Sequence, residues 1–174
     1  MNNVLIIAHP RSGSTNLMIS IAKANDLKGC FEPFGGRKRR MLISNSCTKV
    51  IISRKDLDTY IDLSKKFDKT ILLARRNIVA ASESFVKLNM SELKNPTMKW
   101  SSLTDNEKQF VPMAVEKITN QQQELNKLSE ILNVGIDYYE DVYTSKTLND
   151  KSIKLDLKYL DPKLKCKVKK LEVI

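Results

Sequence analysis

The chain has 174 residues, which is one domain's worth and enough to bury a real hydrophobic core. Its formal net charge of +10 fits an anionic cofactor, anionic acceptors, nucleic acid or anionic lipid, and does not choose among them. No stretch reaches the roughly eighteen consecutive apolar residues of a membrane span, so no span is expected. The first element is the apolar, β-branched run Val4-Leu5-Ile6-Ile7-Ala8, which reads as a buried strand. Pro10 stops it, Arg11-Ser12-Gly13-Ser14-Thr15 follow, and a helix is expected from Thr15 to about Ala24. Cys30-Phe31-Glu32-Pro33-Phe34-Gly35-Gly36 places a carboxylate between two aromatics and closes on turn residues, just before the basic run Arg37-Lys38-Arg39-Arg40. Lys49–Ser53 reads as a strand, and Asp56 as the cap of a helix from Leu57 to Lys66. Thr70–Ala74 reads as another buried strand, Arg75-Arg76-Asn77 as its exit, and 77–88 as a helix capped by Asn77.

From Met90 to Ser102 the pattern is irregular and holds Pro96 and Trp100, the sole tryptophan. One long helix is expected from about Asp105 to Leu132, then a short strand over Val134–Tyr139 and a turn at Glu140-Asp141-Val142. The lysine-rich tail, Lys163 to Lys170, contains no glycine. Strand and helix alternate, so the expected fold class is α/β. We expect a single domain over 1–174 with a central parallel sheet flanked by helices, a P-loop-like three-layer α/β/α arrangement. Ligands of such sheets bind beyond the carboxyl ends of the strands, and the loops after 4–8 and 70–74 both lie there.

The loop at 11–15 is built to face an anion. Backbone N–H groups at a helix start lack intrahelical partners and carry partial positive charge. Gly13 would let the backbone approach a ligand closely, Ser12, Ser14 and Thr15 add hydroxyls, and Arg11 adds a planar cation for phosphate or sulfate oxygens. Better-known phosphate motifs do not fit. A triphosphate-binding loop needs two glycines and a following Lys, and a dinucleotide fingerprint needs three spaced glycines. A Cys-based phosphate loop has no Cys here. Cys30, Cys47 and Cys166 show no metal spacing and no even framework, so a reducing compartment and no metal site are expected. The N-terminus has no basic region or cleavage pattern ahead of Val4, so a cytoplasmic setting is expected.

Pro10-Arg11-Ser12-Gly13-Ser14-Thr15-Asn16-Leu17 resembles the 5′-phosphosulfate loop of the sulfotransferases that use 3′-phosphoadenylyl sulfate (PAPS). Arg76 and Ser84, eight positions apart, resemble that family's 3′-phosphate motif. Glu32 matches the base of its glutamate-dependent branches, and Tyr139-Glu140-Asp141 matches a string that is chiefly structural there. The four segments follow the family's order. The resemblance implies cofactor contacts from Arg11, Ser12, Gly13, Ser14, Thr15, Asn16, Arg76 and Ser84. It also implies catalysis by Glu32 as general base with Arg11 stabilising charge, and adenosine 3′,5′-bisphosphate as product, without a metal. The acceptor would be a hydroxyl or amine on a small molecule, carbohydrate or peptide, with no nucleic-acid partner; oligomeric state is not implied. The chain departs from many members in lacking a C-terminal Gly-rich segment. His9, the only histidine, is the rival base, but its place within the loop motif fits a packing or loop-orienting role better. Two rival functions are a divergent P-loop nucleotide kinase and a non-catalytic basic nucleic-acid-binding protein. The first lacks the loop Lys, and the second lacks aromatics and any known motif.

Overall fold

The computed structural model describes residues 3–34, 44–53, 55–94 and 103–143. At its centre runs β1 (Asn3–Ala8), with Val4 to Ala8 all fully buried. Successive side chains of a strand point to opposite faces, and both faces of this one are covered. Val4, Ile6 and Ala8 meet Met18, Ile19 and Ala22 of α1 (Ser14–Ala24). Leu5 and Ile7 join Tyr60 and Leu63 of α2 (Leu57–Ser64) and Leu125 and Leu128 of α5 (Val111–Leu132) on the other face. That double burial is why the run contains no polar residue.

The remaining strands are β2 (Lys28–Phe31), β3 (Ser46–Ile51), β4 (Lys69–Ala74) and β5 (Ile136–Tyr138). All pairs are parallel, in the order β2-β3-β1-β4-β5. The fold is therefore a single-domain α/β sheet flanked by helices, a three-layer arrangement. From β1 the chain turns to α1 on one face. From β4 it turns to α3 (Ile78–Lys94), which packs on α5. The loops after β1 and β4 thus diverge at the carboxyl edge of neighbouring strands, where such sheets form their ligand crevice.

Local signals explain most boundaries. Asp56 Oδ1 accepts the Thr59 N–H at 3.0 Å and caps α2, and Asn77 Oδ1 accepts the Ala80 N–H at 2.9 Å at the start of α3. The face of α5 that meets the core carries Ala114, Ile118, Gln121, Leu125 and Leu128 at helical spacing. α6 (Tyr139–Val142) is one turn directly after β5. Cys30 and Cys47 are buried, and burial pushes the Cys47 thiol up to about 12. No helix among the described residues is long and apolar enough to cross a membrane.

Five expectations change. The helix expected over 105–132 is two: α4 (Asp105–Lys108) and α5, separated at Gln109 and Phe110. Pro112, in the first turn of α5, has no N–H to offer the carbonyl four residues back and disfavours helical geometry before it. α3 continues through Met90 to Lys94, beyond the expected end at 88. β2 is an edge strand that was not among the expected elements, and β3 starts at Ser46 rather than Lys49. β5 is shorter than the expected 134–139 because α6 begins at Tyr139. Arg37 to Arg40, Trp100 and the tail lysines lie outside the described residues.

Candidate functional site

The crevice is braced by His9, which is fully buried at the exit of β1. Its Nδ1 lies 2.8 Å from the Pro10 carbonyl oxygen, and its Nε2 lies 2.8 Å from the Arg75 backbone nitrogen. A carbonyl only accepts and an N–H only donates, so Nδ1 carries the proton and the ring is neutral. Burial holds its pKa below the ordinary imidazole range and outweighs the raising effect of these hydrogen bonds. The imidazole thereby ties the loop after β1 to the loop after β4. Ser12 is buried and donates its hydroxyl to the His9 carbonyl at 2.9 Å. It locks the loop from inside, where a hydroxyl facing the ligand was expected.

Arg11 (φ 62°) and Gly13 (φ 79°) both adopt left-handed backbone. Gly13 is the N-cap of α1 and has no side chain to cap it, so the first-turn N–H groups of Ser14, Thr15 and Asn16 receive no cap from that residue. The room beside Gly13 is taken up by the protein. A Cβ there would stand 2.6 Å from Tyr139 Cδ2 and 2.9 Å from Tyr143 Cε2. Glycine is required by this packing and by its φ, a different reason from the ligand approach expected of it.

Two guanidiniums converge on the loop. Arg11 Nε donates to Ser84 Oγ of α3 at 2.8 Å. Burial lowers the Arg11 pKa, and the nearby charge of Arg75 lowers it further. Arg75 lies over the Tyr139 ring, 4.8 Å from its centroid. Among the described residues, its buried Nε has no hydrogen-bond acceptor; Glu140 Oε1 is at 3.9 Å, an ion-pair distance only. Arg11 and Arg75 thus bring two positive charges close together at the loop, an arrangement that favours an anion.

Tyr139, Glu140 and Asp141 assemble the crevice wall. Glu140 accepts the N–H groups of Arg76 at 3.0 Å and Asn77 at 3.1 Å. Burial raises its pKa, but these donors and the Arg75 charge together leave it below the usual carboxylate range. Asp141 holds Arg76 Nη1 and Nη2 at 2.6 Å each, and Arg76 also covers the Tyr138 ring at 4.3 Å. Tyr143 donates its hydroxyl to the Gly13 carbonyl at 2.9 Å, and its ring lies 4.8 Å from that of Tyr139.

Glu32 follows β2 in left-handed backbone (φ 43°) with its N–H bonded to the Lys49 carbonyl at 2.8 Å. Its carboxylate meets Lys49 Nζ at 3.1 Å. Lys49 Nζ also donates to Thr15 Oγ1 at 3.1 Å, so Glu32 is linked to the first turn of α1 through a buried ammonium. Ser14 is buried and Asn16 is exposed.

The structure thus brings together Arg11 with Ser84, and Glu32 with Thr15 through Lys49. It gives Arg76 to Asp141. Arg75, Lys49 and the aromatic pair Tyr139 and Tyr143 belong to the site and were not among its expected residues. The sequence signal for Lys49 is a lone charge abutting the apolar run Val50-Ile51-Ile52. Arg75 and Arg76 are adjacent, and nothing in the sequence says which one turns inward. No family model, no curated protein and no solved structure matches the chain.

Proposed function

We propose that the protein is a sulfotransferase, transferring a sulfuryl group from 3′-phosphoadenylyl sulfate to a hydroxyl or amine acceptor. The observation that carries this reading is the 2.8 Å contact between Arg11 Nε and Ser84 Oγ. It joins the two segments that resemble phosphosulfate and 3′-phosphate motifs, at the carboxyl edge of a parallel sheet. The residues present fit an anionic nucleotide: Arg11 and Arg75 bring two guanidiniums together at the loop, and among the described residues the buried Arg75 Nε has no hydrogen-bond acceptor. When bound, the cofactor supplies the activated sulfuryl group.

The chain's own residues supply the rest. Arg11 and the N–H groups at the start of α1 hold negative charge at the loop. Glu32 takes the proton from the acceptor. Arg76 reaches a 3′-phosphate once Asp141 gives way, with Ser84 on the helix that follows. The His9 brace keeps the two loops in register and leaves the proton work to Glu32.

Isothermal titration tests the reading. Adenosine 3′,5′-bisphosphate should bind, and AMP should bind at least about tenfold more weakly, the scale of one charge-assisted contact. Equal affinities would overturn the 3′-phosphate assignment. Labelled sulfate should then appear on one class of acceptor in a screen of sugars, peptides and small hydroxyl compounds, and Glu32→Gln should lose that transfer. Metal-dependent ATP turnover without sulfate transfer would favour a nucleotide kinase. Steeply salt-dependent oligonucleotide binding alone would favour a nucleic-acid-binding protein.

A further inference from the structure

Lys49 is the least expected residue of the sheet. It sits in β3, in register with Ile6 of β1 and Phe31 of β2, and is only 4% exposed. It shares a sheet face with Cys47, two residues back, which belongs to the cluster under α1. A lysine is rarely buried this far, and an ammonium in such a place needs close partners. Three elements supply them. Glu32, after β2, places Oε1 at 3.1 Å. Thr15 of α1 places its hydroxyl at 3.1 Å. Phe31 of β2 presents its ring at 3.9 Å. A methionine would fill the same space without the cost of burying a charge, so packing does not explain the lysine.

The two charges are not equally enclosed: the Lys49 side chain is 5% exposed and that of Glu32 is 15%. Glu32 is the outer partner, and it approaches from a loop in left-handed backbone. An anion held at Thr15 would lie beside the same ammonium that Glu32 now neutralises.

We propose that Lys49 is an anion-binding residue of the transfer site, shared between Glu32 and the anion that the loop at Thr15 receives. Glu32 is its counter-ion in the structure. When the anion arrives, Lys49 pairs with it and the Glu32 carboxylate is released toward the acceptor. The base would then become available only after the anionic co-substrate is in place. The identity of that anion rests on the sulfotransferase reading, whereas the shared ammonium does not.

The test is isothermal titration of adenosine 3′,5′-bisphosphate and, separately, inorganic pyrophosphate. The proteins are the wild type, Lys49→Met, Glu32→Gln and the double variant. Lys49→Met should weaken binding about tenfold, the scale of a charge-assisted contact. Glu32→Gln should tighten it about threefold or more, because the competing carboxylate is gone. The double variant should match Lys49→Met, since removing the ammonium removes the pairing for which Glu32 competes. A folding defect cannot raise affinity, so the Glu32→Gln arm decides if Lys49→Met proves unstable.

Unchanged affinity in a folded Lys49→Met, or no tightening in Glu32→Gln, overturns the proposal and leaves the sulfotransferase reading standing. Pyrophosphate binding with this order of variants, but no bisphosphate binding, upholds Lys49 and overturns the sulfotransferase reading. If the wild type binds neither anion, both fall.

Discussion

Asp141 grips the guanidinium of Arg76 through both terminal nitrogens, at 2.6 Å each, so the arginine matched to a 3′-phosphate already holds an anion. The pair raises the pKa of Arg76 and lowers that of Asp141, chiefly through these hydrogen bonds. On the sulfotransferase reading, a nucleotide 3′-phosphate must therefore displace a carboxylate that already pairs bidentately with the guanidinium. Asp141→Asn keeps the shape and removes the competing charge. Its affinity for adenosine 3′,5′-bisphosphate should rise about threefold or more while its affinity for AMP stays level, and Arg76→Ala should lose about tenfold for the bisphosphate alone. Titration calorimetry with both nucleotides checks this. A parallel change for AMP would mean that Arg76 does not read the 3′-phosphate.

Gly13 is held from two sides. Its φ of 79° is a left-handed conformation that costs an L residue about 1 kcal/mol, and an added Cβ would press into Tyr139 and Tyr143. Overpacking costs about 1–3 kcal/mol. Gly13→Ala should therefore destabilise by about 2–4 kcal/mol in urea unfolding. Truncating Tyr139 to Ala in the Gly13→Ala background should cost less than it does in the wild type, because the clash has gone. Strict additivity would show that the backbone conformation alone carries the cost.

His9 gives the fold a pH dependence whose sign follows from its burial. The unfolded imidazole gains a proton near pH 6.5, and the buried one only at lower pH. Below about 6.5 the unfolded state thus binds more protons, so stability falls as pH falls, by up to about 1.4 kcal/mol per unit. Protonation would also turn the Nε2 acceptor of the Arg75 N–H into a donor. The fold lowers the pKa of Asp56, Glu107, Glu140 and Asp141, which act in the same direction but only below about pH 5. Because His9 is the sole histidine, the window between pH 7 and 5 belongs to it. Urea unfolding at both ends should show the loss in the wild type and a flat response in His9→Gln. Equal loss in both proteins would assign the effect elsewhere.

What could be read from the chain followed burial. Val4–Ala8 and Ile71–Ala74 are core segments covered on both faces, and a continuous apolar run announces that. Asp56 and Asn77 cap the helices they precede, because a cap is decided within three residues. β2 was not legible: it is four residues long, contains Gly29 and lies at the sheet edge, so it carries no period to detect. The site was half legible for a similar reason. The loop at 11–15 is local, whereas the partners of Lys49, Arg76 and Arg11 are 34, 65 and 73 residues away in the chain. A charge beside an apolar run looks like a strand end until the fold supplies Glu32 and Thr15.

Ser84 separates anion binding from stability. Its hydroxyl accepts from Arg11, whose charge is disfavoured by burial and by Arg75. Ser84→Asp would place a fixed carboxylate where the ligand's negative charge is expected. Serine and aspartate are similar helix formers, so the change in stability reports the electrostatics. The melting temperature should hold or rise, because the added charge neutralises a crowded pair of guanidiniums. Affinity for the bisphosphate should fall more than about tenfold, because the anion meets a like charge. Ser84→Ala should lower affinity only a few-fold and lower stability by about 1 kcal/mol, the value of the lost hydrogen bond. If Ser84→Asp melted earlier and still bound the bisphosphate as the wild type does, the Arg11–Ser84 contact would be a packing feature of the α3 face, and the anion site would have to lie elsewhere.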